Sequence, residues 1–111
     1  MVAHTGILGA TVQAIEVVDE CLASVLAVLA ERDAHVLVTA DHGNCEFMLY
    51  PDGSMNTAHT TNPVRLVFLR DGCRLRGGAG LADVAPTVLG LLGVPIPSEM
   101  TGTDLCDKSG N

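Results

Sequence analysis

The stretch Val36-Leu37-Val38-Thr39-Ala40 is short, uncharged and rich in β-branched residues, and it gives way at once to Asp41-His42-Gly43-Asn44. An apolar run of that length with no polar alternation is the pattern of a strand covered on both faces, as in a parallel sheet. Open α/β sheets carry their functional groups just past the carboxyl ends of such strands. This one feature therefore predicts both an α/β architecture and the place where its chemistry sits.

The flanking sequence supplies the other elements. From about Ala10 to Glu31, Val12, Ile15, Leu22, Val25, Leu26 and Leu29 recur at helical spacing, while Gln13, Glu16, Glu20 and Ser24 fall elsewhere. Phe47-Met48-Leu49 is expected to form a short helical turn, and Pro51-Asp52-Gly53-Ser54 a reverse turn. Val64 to Leu69 predicts a second strand, with Pro63 at its entry. A glycine-rich stretch follows. Leu81 to Leu92 predicts a second helix, with Pro86 near its first turn, where a missing N–H costs least. Gly93 and Pro95 stop it. The order helix, strand, turn, strand, helix is that of an α/β layered sheet. Two strands are too few to stand alone, so the chain is expected to be one flank of a larger sheet. Residues 1–105 are expected to form this partial domain and residues 106–111 a flexible tail.

At 111 residues the chain is one domain at most. Hydrophobic residues make up 48%, enough for a core, but the aromatics are only Phe47, Phe68 and Tyr50. The net charge is −7, and the six basic residues form no stripe, which argues against a nucleic-acid partner and against a polybasic membrane anchor. The apolar run from Cys21 to Ala30 is too short to span a bilayer. The N-terminus lacks the charged region of a secretory signal. Cys21, Cys45, Cys73 and Cys106 are widely spaced with no CxxC pair, which reads as reduced thiols in a cytoplasmic protein. An acidic chain binds an anionic substrate poorly, so a phosphate ligand would need charge compensation from metal ions or from other sequence.

Four residues carry the chemical signal. Asp41 and His42 stand at the strand end, where Gly43 permits a tight turn. An aspartate oxygen and an imidazole nitrogen together suit a divalent ion such as Mn²⁺ or Zn²⁺. His59, in the polar loop before the second strand, and His4, just before the long helix, also lie at element boundaries where ligands converge. His35 starts a strand and reads as structural. Glu46 and Asn44 are placed to orient ligands or bind substrate. Cys45 reads as a buried structural thiol, since no local feature marks it as activated.

Longer motifs around these residues carry a family resemblance. Thr39-Ala40-Asp41-His42-Gly43-Asn44-Cys45-Glu46, followed by Asn56-Thr57-Ala58-His59-Thr60-Thr61-Asn62-Pro63-Val64, resembles the signature of the cofactor-independent phosphoglycerate mutases of the alkaline phosphatase superfamily. The DHG element recurs across that superfamily, whereas HTTNPV is more specific. MVAHTG, VVDECL and LADVAPTVLGLLGVPIPSEMTGTDL resemble further family segments, so the likeness runs from Met1 to about Leu105. It implies the C-terminal flank of an alkaline-phosphatase-like layered sheet with helices on its faces. It also implies two divalent metal ions, Mn²⁺ in most bacterial members. One would be held by His4, His59 and a carboxylate; the other by Asp41, His42, a further aspartate and a serine nucleophile. The reaction implied is interconversion of 3-phosphoglycerate and 2-phosphoglycerate in glycolysis through a phosphoserine.

The chain also departs from the family pattern. Met1 falls inside the motif, so the preceding aspartate ligand has no counterpart. Ala3 and Ile7 stand where glycine and asparagine are expected. Ser24, Ser54, Ser98 and Ser109 lack the surroundings of the nucleophile, and no arginine-rich substrate domain is present. The expectation is a fragment, inactive alone, whose partner would be the missing N-terminal portion. The alternatives are a non-catalytic metal-binding or interaction module and a fragment of a related phosphopentomutase or phosphatase.

Overall fold

The computed structural model describes residues 2–107. The chain divides into two compact units, one built from the residues up to Ala34 with Ala40–Arg65, the other from His35–Thr39 with the residues from Leu66 onward.

The first unit opens with a 3-10 turn, Val2–Thr5, and continues into α1, Leu8–Ala30. The helix forms where the apolar periodicity predicts it, begins slightly earlier, and contains no proline. Its start is tied by the Thr5 hydroxyl, which donates to the Val2 carbonyl at 2.8 Å and accepts the Ile7 N–H at 3.2 Å. The apolar face is largely exposed: Leu8, Val12, Ile15, Val18 and Val25 all face solvent, and Thr11 is the one buried residue of the helix. Periodicity identified the helix but not what its stripe packs against.

After Asp41 the chain forms a hairpin rather than the expected helical turn at Phe47-Met48-Leu49. Leu49 pairs with Met55, and the Pro51–Ser54 turn is closed by Tyr50 N–H to the Ser54 carbonyl and Gly53 N–H to the Tyr50 carbonyl, both 2.9 Å. The reason lies in Asn56. Its side-chain amide donates to the Phe47 carbonyl and its backbone N–H to the Met48 carbonyl, each at 2.8 Å. Those carbonyls are then unavailable for a helical turn. Gly6 fits the N-terminal turn against this hairpin: its φ is 71°, and a Cβ there would stand 2.6 Å from Met55 Cβ. Only a glycine meets both conditions.

The second unit holds two small sheets. β1 (Leu37–Thr39) pairs antiparallel with β2 (Leu66–Phe68), Leu37 opposite Phe68 and Thr39 opposite Leu66. The sequence pattern suggested parallel pairing. Parallel strands need a crossover, usually a helix, and residues 40–65 contain a hairpin and loops instead, so the chain returns in the opposite sense. The strands are half-buried at Leu37, Val38, Leu66 and Phe68, not covered on both faces. His35 lies against Phe68, ring centroids 5.9 Å apart, in keeping with a structural role.

β3 (Arg74–Leu75) pairs antiparallel with β4 (Cys106–Asp107), which lies in the stretch expected to be a flexible tail. The rest of that tail, Ser109 included, is outside the described residues. This pairing brings Cys73 and Cys106 together in a disulfide with a Cα–Cα distance of 5.4 Å. The expectation of four reduced thiols is therefore corrected. Cysteine spacing along the chain carries no information about a strand pairing made across a 33-residue separation. Cys21 and Cys45 remain free.

A 3-10 turn, Leu81–Asp83, leads into α2, Val84–Leu91, with Pro86 in the first turn. The helix ends in two bonds, Val94 N–H to the Leu89 carbonyl at 2.9 Å and Gly93 N–H to the Gly90 carbonyl at 3.3 Å. This is the Schellman pattern. Fully buried Thr87 joins α2 to the strand that follows: its hydroxyl donates to the Asp83 carbonyl at 2.6 Å and accepts the Leu105 N–H at 3.0 Å. The Asp83 carboxylate accepts the Gly80 and Thr103 N–H groups, which hold its pKa below the usual carboxylate value. The unit is mixed α/β.

Candidate metal centre

All four predicted ligand residues belong to the first unit. Three segments bring them together: the N-terminal turn with His4, the loop 41–46 with Asp41 and His42, and the loop 56–62 with His59.

His4 and His59 meet nitrogen to nitrogen, Nε2 to Nε2 at 3.2 Å. The His4 Nδ1 lies 2.7 Å from the Thr57 carbonyl. A carbonyl only accepts, so Nδ1 carries the proton and the lone pair of His4 is on Nε2, facing His59. Two imidazole nitrogens this close need something between them, either a proton or a cation. Nitrogens each about 2.0–2.1 Å from one cation, at tetrahedral to octahedral angles, stand about 2.9–3.4 Å apart. The observed separation falls in that window. The carbonyl that fixes the His4 tautomer is the kind of outer partner metal-bound histidines have.

The second pair is Asp41 and His42. Asp41 Oδ1 lies 3.5 Å from His42 Nε2, and His42 Nδ1 lies 3.2 Å from the Gly43 carbonyl. The same argument puts the proton on Nδ1 and leaves Nε2 free beside a carboxylate oxygen. The two pairs adjoin: the His42 and His59 rings stack with centroids 3.6 Å apart and planes 19° from parallel. Among the described residues no group of three or more histidine, cysteine, aspartate or glutamate side chains is arranged to hold one ion. The convergence is pairwise.

The two loops are joined by backbone and side chain. Thr60 N–H donates to the Gly43 carbonyl at 2.8 Å. Gly43 is buried, and a Cβ there would stand 2.2 Å from Thr60 Oγ1 and 2.5 Å from Glu46 Oε1, so the close approach requires a residue without one. The Glu46 carboxylate accepts the Asn44 N–H at 2.7 Å, the Asn62 side-chain amide at 3.0 Å and the Thr60 hydroxyl. These bonds, the Thr60 hydroxyl foremost, lower its pKa to about 2. Asn44 in turn donates to the Ala58 carbonyl at 3.1 Å.

Sequence reasoning missed Asn56 and Thr57. Asn56 is 5% exposed, and its Oδ1 accepts the Ala58 N–H at 3.0 Å and the Tyr50 hydroxyl at 3.2 Å. It shapes the chain that delivers the Thr57 carbonyl to His4. The available signal was an asparagine two residues before a loop alanine, the spacing at which asparagine side chains bond their own backbone. The expectation of a buried Cys45 is corrected: it is exposed on the tip of the 41–46 loop, with Sγ 3.6 Å from Asn44 Oδ1. The loop turns tightly there to aim Glu46 inward, which leaves its neighbour outside.

A strand-end loop with paired imidazole and carboxylate donors is the sort of site metalloenzymes carry, and the chain belongs to the Metalloenzyme superfamily, whose family model matches residues 1–96. It is 50% identical over 108 residues to a 2,3-bisphosphoglycerate-independent phosphoglycerate mutase of Listeria welshimeri, covering 97% of this chain and 21% of that protein. Proteins of the same name from Moorella thermoacetica and Prochlorococcus marinus are 51% and 48% identical, over 97% and 95% of this chain and 21% of each relative. The chain thus spans about a fifth of the length of the curated relatives it matches. No helix among the described residues is long and apolar enough to cross a membrane.

Proposed function

We propose that the chain is the metal-binding segment of a cofactor-independent phosphoglycerate mutase. In this reading His4 and His59 bind one divalent cation, and Asp41 and His42 bind a second. The observation that supports it most is the His4–His59 pair, with two Nε2 atoms 3.2 Å apart and the His4 tautomer set by the Thr57 carbonyl. Mixed nitrogen and carboxylate donors suit Mn²⁺ as well as Zn²⁺.

Bound there, the cations would supply positive charge to a phosphoryl group moving between the two hydroxyls of phosphoglycerate. The chain's own residues do three things. Thr57 and Gly43 carbonyls fix the histidine tautomers, Asp41 sets a carboxylate beside His42, and the 41–46 and 56–62 loops hold the pairs adjacent. The family resemblance places the reaction in cytoplasmic glycolysis, through a phosphoserine. Ser24, Ser54 and Ser98 are each engaged with a local partner, at Glu20, Asp52 and Glu99, so the serine nucleophile and the substrate-binding arginines are assigned to polypeptide other than the described residues. The exposed apolar face of α1 is consistent with packing against such polypeptide, in an alkaline-phosphatase-like layered sheet to which β1 and β2 contribute a flank.

Isothermal titration of the full chain with Mn²⁺ and Zn²⁺ tests the assignment. Each pair supplies two protein ligands where a catalytic zinc site has three, so binding is expected to be weak. It should weaken further in His42→Ala and on acidification from about pH 7.5 to about pH 5.5, since histidine must be neutral to bind. Tight binding indifferent to both changes would put the metal elsewhere and end the two-pair reading.

A further inference from the structure

Glu46 lies outside the four ligand positions, yet its carboxylate is the most heavily bonded side chain near them. Oε2 accepts from the Asn44 backbone at 2.7 Å, and Oε1 from the Asn62 amide at 3.0 Å and from the Thr60 hydroxyl. Asn44 belongs to the loop that carries His42; Thr60 and Asn62 belong to the loop that carries His59. The sequence left open whether Glu46 orients ligands or contacts substrate. Three donors already converge on the carboxylate, and Glu46 is in no group of three or more side chains arranged to hold an ion.

We propose that Glu46 is a positioning residue: its carboxylate ties the 41–46 loop to the 58–62 loop and so fixes the spacing of His42 and His59. The link is the side-chain counterpart of the backbone bond from Thr60 to Gly43 on the same two loops. Both act within a few residues of the stacked rings, whose centroids are 3.6 Å apart. The missing Cβ at Gly43 is what lets the carboxylate and the Thr60 hydroxyl approach, since either would collide with a side chain there. A charged acceptor suits the task because bonds to an ionised carboxylate are shorter and stronger than those to a neutral oxygen. The consequence for metal binding rests on the two-pair reading above; the consequence for ring spacing does not.

The test uses the full chain, Glu46→Ala and Glu46→Gln, with far-UV circular dichroism to establish that each is folded. Glu46 is exposed, so neither substitution removes a core contact. In the metal-free chain, nuclear Overhauser contacts between the His42 and His59 rings are expected in the wild type, absent in Glu46→Ala and weakened in Glu46→Gln. Glutamine keeps an acceptor for Thr60 and Asn62 but turns a donor toward the Asn44 N–H. In the second arm Co²⁺ is titrated and its visible absorption followed. Glu46→Ala should bind roughly 10-fold more weakly, the lower end of what loss of an outer partner to a metal ligand costs, with Glu46→Gln between. Ring contacts that persist in folded Glu46→Ala overturn the proposal, as does Co²⁺ affinity equal to wild type. If the wild type itself takes up no Co²⁺, the metal reading fails while the ring contacts still decide the positioning role.

Discussion

Asn56 is the buried polar hub of the candidate site, and its removal has a calculable cost. Asn56→Ala deletes the acceptor of the Ala58 N–H and the Tyr50 hydroxyl and the donor to the Phe47 carbonyl. Tyr50 is 43% exposed, so its hydroxyl re-bonds to water at little cost. The Ala58 N–H and Phe47 carbonyl lose their partners in a place where Asn56 itself is only 5% exposed. Each lost bond costs about 0.5–1.5 kcal/mol, and the orphaned groups and small void raise the total to about 2–3 kcal/mol. Urea unfolding followed by far-UV circular dichroism measures this as a lower midpoint at unchanged slope. Asn56→Asp separates hydrogen bonding from volume. It keeps the acceptor for Ala58 but sets an oxygen against the Phe47 carbonyl, so it should destabilise more when ionised at neutral pH than when protonated near about pH 3. A loss below about 0.5 kcal/mol in Asn56→Ala, within the range of ordinary surface substitutions, would refute the claim that this residue organises the 47–59 segment.

Glu46 has a folded pKa of about 2, below its usual value of 4.5, so its bonds stabilise the folded loops above pH 4.5 and are lost as pH falls toward 2. Carbon-detected NMR of the Glu46 carboxyl should titrate with a midpoint near 2, and a midpoint at the usual value would mean the three donors do not engage it. Gly43→Ala forces Thr60 and Glu46 aside and is expected to cost about 1–3 kcal/mol in urea unfolding while separating the His42 and His59 rings; unchanged stability and ring contacts would contradict the close packing. The disulfide joins residues separated by 33 positions, so Cys106→Ser should lower stability by about 3–4 kcal/mol in the chain-entropy picture. Thiol titration of the unfolded chain should find two reactive sulfhydryls before reduction and four after; four before reduction would refute the bond.

The sequence determined the local structure and the chemistry. Apolar spacing found α1 within a few residues, because helical periodicity is written in consecutive positions. Gly93 and Pro95 marked the end of α2, and Pro51–Ser54 its turn, because backbone preference belongs to single residues. The types at positions 4, 41, 42 and 59 identified metal-binding donors, because donor chemistry is a property of the side chain alone. The tertiary structure decided everything that depends on residues distant in the chain. It decided that β1 meets β2 antiparallel, that Cys73 meets Cys106, and that Asn56 takes the carbonyls of Phe47 and Met48 and so replaces a helical turn with a hairpin. It also decided the pairing of the four ligands, His4 with His59 across 55 residues and Asp41 with its neighbour His42. Such pairings are set by which carbonyls and N–H groups the fold leaves open, and no local window of sequence contains that information.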